Sequence, residues 1–115
     1  MQVMHFYRDE AGDPRANSPE PQELLARFLE SDIQGSEDYA RDILGAIERV
    51  EAGKEPSWQE TGNAHTLILD SAGATIEAEY EEDGEAPPCR VSLDDLRAAL
   101  IGWLAFLERT SREDR

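Results

Sequence analysis

The chain has 115 residues, enough for one domain around a single core, and its hydrophobic content of 39% is ordinary for a folded protein. Its charge is not: 26 acidic against 11 basic residues give a formal net charge of −15, which excludes a basic face for DNA, RNA or anionic membrane and points to a basic partner. No run approaches the roughly 20 apolar residues of a membrane span, the first ten residues lack the basic and apolar regions of a signal peptide, and the single cysteine, Cys89, allows no internal disulfide and suits a reducing cytoplasm.

From the N-terminus, Val3, His5 and Tyr7 alternate with Met4 and Phe6, the period of a short strand. Asp9 to Pro21 is rich in Gly, Pro, Asp and Asn and reads as a loop. A helix is expected from Ser18 or Glu20, with prolines confined to its first turn, an apolar stripe of Leu24, Leu25, Phe28 and Leu29, and Gly35 closing it. Ser36 is placed to cap a second helix, with Glu37 and Asp38 in its first turn, Tyr39, Ile43, Ile47 and Val50 on one face, and Gly53 at its end.

The centre reads as a β-meander. Gly62-Asn63 has the form of a two-residue turn joining Ser57–Thr61 to Ala64–Asp70, and in that register Trp58 faces Leu67 and Glu60 faces His65. Gly73 is expected to take the left-handed conformation in the next turn, Asp70 to Gly73, although Leu67 and Ile68 are both apolar and leave the register there open. In the following strand Ala74, Ile76, Ala78 and Tyr80 share the packed face, and Thr75, Glu77, Glu79 and Glu81 share an acidic one.

Ser92 caps the last helix, with Asp95 three residues on and Val91 able to staple onto Leu96. Its stripe of Leu93, Leu96, Leu100, Trp103, Leu104 and Leu107 is expected to pack on the sheet; a partner contact through Trp103 or Phe106 is the lesser alternative. Gly102, between Ile101 and Trp103, implies close approach of a neighbouring element. Residues 96–115 hold 3 acids and 4 bases, so this helix is close to neutral, whereas 70–95 hold 9 acids and 1 base. The elements sum to a single α+β domain over 1–115: an antiparallel meander of about four strands against two or three helices, including the amphipathic C-terminal one.

No chemistry-bearing motif stands out. His65 beside Glu60 has the residue types of an acid/base pair, but a cross-strand His–Glu pair is more often a surface or half-buried contact, and that is the reading expected here. One Cys and two distant His do not make a zinc site, and the acids after Glu79 lack the order of a helix-loop-helix calcium loop. Ser57, Ser71 and Cys89 have no nucleophile elbow around them, and the glycines form no phosphate loop. Neither a catalytic residue nor a cofactor is therefore expected. The candidate site is the acidic cluster Glu77, Glu79, Glu81, Glu82, Asp83 and Glu85, either a solvated face that guards a sheet edge or a set of carboxylates presented to a basic groove.

Several segments carry a resemblance. Phe6-Tyr7-Arg8-Asp9 with Gly12, Ser57-Trp58-Gln59, Gly62-Asn63-Ala64-His65-Thr66-Leu67 with Asp70, and IEAEYEEDGE followed by SLDDLRAALIGWLAFL resemble the YacL-like family of small bacterial proteins. They are also similar to immunity proteins of contact-dependent inhibition and related polymorphic toxin systems. The likeness covers residues 6–12 and 57–107; across 13–56 only a helical pattern is shared. It implies an immunity protein that binds and neutralises the C-terminal toxin domain of a delivered effector, a basic protein and commonly a nuclease. The charge pattern then makes Glu77, Glu79, Glu81, Glu82 and Asp83 the toxin-facing carboxylates, with Tyr80 or Trp58 as aromatic anchors. The alternative is an acidic housekeeping adaptor or regulator that binds a basic cellular protein.

Overall fold

The computed structural model describes residues 5–17, 23–78 and 89–113. Two antiparallel sheets and three helices make up the α+β fold expected from sequence. Strands β1 (His5–Arg8) and β2 (Pro14–Asn17) form a hairpin, followed by α1 (Glu23–Phe28), a π-helical turn (Leu29–Ile33) and α2 (Glu37–Glu51). Strands β3 (Ser57–Thr61), β4 (His65–Asp70), β5 (Gly73–Ala78) and β6 (Cys89–Val91) form a four-stranded sheet in sequence order, and α3 (Leu93–Glu113) ends the chain.

The core lies between one face of this sheet and the helices. Leu67, Leu69, Ala74 and Ile76 are buried on the sheet side, against Phe28, Leu29, Ile43, Ile47, Leu96, Leu100 and Trp103 on the helical side. Ser36 caps α2 by accepting the Tyr39 N–H at 3.2 Å, and Ser92 caps α3 by accepting the Asp95 N–H at 2.9 Å, both as their residue types require. Trp103 and Phe106 are buried, which settles the stripe of α3 as core. Phe6 of β1 meets Trp103 edge-on with ring centroids 5.2 Å apart, and a Cβ on Gly102 would stand 3.1 Å from Phe6 Cε2, the close approach expected there.

Four local expectations need correction. The stretch from Asp9 to Pro21 is not all loop, because Pro14–Asn17 pairs with β1; the segment PRAN buries only Ala16, so no apolar alternation announces it. The first helix does not run evenly to Gly35: it widens into the π turn and stops at Gln34, which carries φ 53° and ψ −126°. Strand β3 is displaced by two residues on β4, placing Trp58 opposite Leu69 and Glu60 opposite Leu67, so Glu60 does not face His65. A slip of two preserves which face each side chain occupies, and face is all that the hydrophobic pattern specifies. Gly73 has φ 150°, not the left-handed value, and is needed because a Cβ there would lie 2.8 Å from the Val91 carbonyl of β6. The Ser18 or Glu20 helix start, and Val3 and Met4, fall outside the described residues.

Candidate functional site

Of the expected toxin-facing carboxylates only Glu77 is described, half-buried on β5 opposite Thr66, and of the two aromatic anchors only Trp58, half-buried against the core; Glu79, Tyr80, Glu81, Glu82, Asp83 and Glu85 lie outside the described residues. The described part of the surface is acidic in its own right. Arg15, Arg41, Arg49, Arg90 and Arg97 each pair with a carboxylate of the protein. Arg8 donates to the Gly12 carbonyl at 2.7 Å and stacks over Phe106. Most of the basic side chains are thus engaged internally, whereas Asp13, Asp42, Glu48, Glu60 and Asp95 are exposed carboxylates outside any ion pair among the described residues.

A second constellation is polar and buried. Asp32 continues the apolar stripe of α1, four residues after Phe28 and three after Leu29, and its side chain is 0% exposed. It points at the β3–β4 hairpin tip. Oδ1 lies 2.8 Å from His65 Nδ1 and 2.9 Å from the Ser31 hydroxyl, and Oδ2 accepts the N–H groups of Ala64 at 3.2 Å and His65 at 3.1 Å. Because a carboxylate only accepts, His65 Nδ1 carries the proton. Burial by itself would raise the Asp32 pKa, but the hydrogen bonds from His65, Ser31 and the two backbone N–H groups outweigh it and hold the carboxyl below its ordinary value. Asn63 completes the clamp by donating to the Ser31 carbonyl at 3.0 Å.

Next to this group, the Tyr39 hydroxyl is buried with no well-formed hydrogen bond among the described residues; burial first, then the Glu60 and Asp32 carboxylates, push its pKa up to about 12. Sequence reasoning named His65 with Glu60 and missed Asp32, the carboxylate that holds His65. The available signal was an acid inside an apolar stripe at i+3 and i+4, a position where an unpaired carboxylate is costly and a partner is obligatory. An open cleft of about 360 Å³ borders Ser31, but its guanidinium, Arg15, is already held by Glu30 at 2.8 Å. The constellation is therefore directed inward: the hydrogen bonds of Asp32 with Ala64 and His65 tie the hairpin tip to the π turn.

The sequence model described as Uncharacterised protein family (UPF0231) matches residues 4–87. Among curated proteins, UPF0231 proteins of Shewanella sp. strains MR-4 and MR-7 are each 30% identical to the chain over 101 residues, covering 76% of this chain and 81% of the relative. A UPF0231 protein of Shewanella oneidensis is 25% identical over 100 residues with the same coverage. No solved structure matches. These matches overturn the expected membership in a group that includes toxin-immunity proteins: the relatives carry only the uncharacterised-family description, and the matched span takes in residues 13–56, where the immunity likeness had no residue-level support.

Proposed function

We propose that this chain, which belongs to the uncharacterised protein family UPF0231, is an acidic binding protein that engages a basic partner protein and performs no chemistry of its own. The observation that carries this reading is the asymmetry of the surface, on which arginines are neutralised internally while Asp13, Asp42, Glu48, Glu60 and Asp95 stay uncommitted. An uncompensated charge of this size costs self-repulsion, and long-range attraction of an opposite charge is the return, with association rates that climb toward roughly 10⁸ M⁻¹s⁻¹ at low salt. The toxin-neutralising role drew its support from the immunity likeness and has no separate support without it; the adaptor role needs only the charge. The single cysteine, Cys89, is buried and can form no internal disulfide, which fits a reducing cytoplasm as the place of work.

Affinity capture from cytoplasm at about 50 mM and 500 mM NaCl tests the reading, with the triple variant Asp42→Asn, Glu48→Gln, Glu60→Gln as the second bait. The expected outcome is a small set of basic proteins that is retained at low salt, released at high salt and depleted with the variant. Recovery of the same proteins by both baits at both salt concentrations would overturn it.

A further inference from the structure

Among the described residues strand β3 is an edge: it pairs with β4 alone, and its order in the sheet places it at the end opposite β6. In the hairpin Gly62 N–H donates to the His65 carbonyl at 2.9 Å, which makes Gly62 and His65 a hydrogen-bonded pair. Antiparallel pairing alternates, so Glu60 with Leu67 and Trp58 with Leu69 are the next bonded pairs, and Ser57, Gln59 and Thr61 turn their N–H and C=O groups away from β4. All three residues are exposed, and their outward backbone groups have no partner among the described residues.

The surroundings of that edge are selective. Trp58, half-buried against the core, and exposed Glu60 share the face of the strand toward the helices. Helix α2 packs beside the same edge, and its Tyr39 lies near enough to feel the Glu60 carboxylate. Glu60, exposed and outside any ion pair among the described residues, therefore stands beside a row of outward backbone donors and acceptors. A strand laid there would set alternate side chains beside Glu60 and Trp58, positions suited to a Lys or Arg and to an apolar or cationic group.

We infer that the free edge of β3 is a strand-addition site for a basic, extended segment of the partner protein. The inference rests on the acidic-binding reading and specifies its mode: backbone pairing along Ser57–Thr61 supplies geometry, and the Glu60 carboxylate within a strongly acidic chain supplies selection. Charge also excludes a second copy of this chain as the occupant, since two acidic edges repel.

The probe is a nine-residue peptide of alternating Lys and Val, compared by fluorescence anisotropy with a peptide of the same length and charge in which two central Val residues are replaced by Pro. Addition to the edge predicts binding of the first peptide and at least tenfold weaker binding of the second, because proline removes the pairing N–H groups. Gln59→Pro in the protein should weaken the first peptide at least tenfold, whereas Gln59→Ala should leave it unchanged. Glu60→Lys should shift preference toward a Glu–Val peptide, a readout that stands even if Gln59→Pro fails to fold. Equal, salt-sensitive binding of both Lys peptides would overturn strand addition and leave the acidic-binding reading intact. Absence of binding by either peptide would overturn the inference, and failure of the capture experiment as well would take the broader reading with it.

Discussion

At the scale of single residues the weight falls on Asp32. Replacing it by Ala leaves the buried N–H groups of Ala64 and His65 and the His65 Nδ1 proton without an acceptor, a loss expected to cost about 3 kcal/mol or more by urea denaturation. The pH dependence follows from the depressed folded-state pKa. The contribution is fully present above the ordinary value of 3.8 and is lost as pH falls through the lower folded value, so the gap between wild type and Asp32→Ala should narrow below pH 3.8. Two glycines offer a matched contrast. A Cβ on Gly62 would overlap Asp32 Oδ2 and come within 3.1 Å of Cγ, so Gly62→Ala should destabilise by about 1–3 kcal/mol; Gly35 has nothing within 4 Å, and Gly35→Ala should be neutral or slightly stabilising. Thermal melts of the two variants check both at once.

At the scale of elements, sequence proved most informative where period and cap agree. Ser36 and Ser92 with their apolar stripes located α2 and α3, and the alternation in 74–78 located β5, because each signal is local and redundant. What stayed hidden was decided at a distance. The β3–β4 register depends on Asp32 capturing two N–H groups 32 and 33 residues further along the chain, and no turn rule contains that information. The candidate site was hidden in the same way, since His65 was named without the acid that orients it. The π turn ends on Gln34, whose φ of 53° and ψ of −126° suit Gly, in a turn closed by Ser36 N–H donating to the Ile33 carbonyl at 2.9 Å. Gln34→Gly should therefore raise stability by about 1 kcal/mol, less what is lost with the exposed bond from Gln34 Nε2 to the Ser31 carbonyl; chemical denaturation with an unchanged m-value is the check.

At the scale of the whole molecule, surplus negative charge competes with the core. Screening that repulsion should stabilise the fold, and the melting temperature is expected to climb by about 4 °C, or about 1 kcal/mol, between roughly 0.02 and 0.5 M NaCl. A fall in melting temperature over the same range would mean that the arginine pairs outweigh the repulsion. No helix of the described residues is long and apolar enough to cross a membrane.

The inward clamp at Asp32 also bears on how such a sequence can change over time. A hairpin tip that is held from an upstream helix is released from the usual turn codes, because its conformation is guaranteed by a carboxylate rather than by its own residues. Constraint moves accordingly from neighbours in the turn to a triplet scattered along the chain. Position 32 should drift only in step with positions 62 and 65, the first supplying room for the carboxylate and the second a ring to meet it, while Ala64, which contributes only its backbone N–H, remains free to vary in side chain.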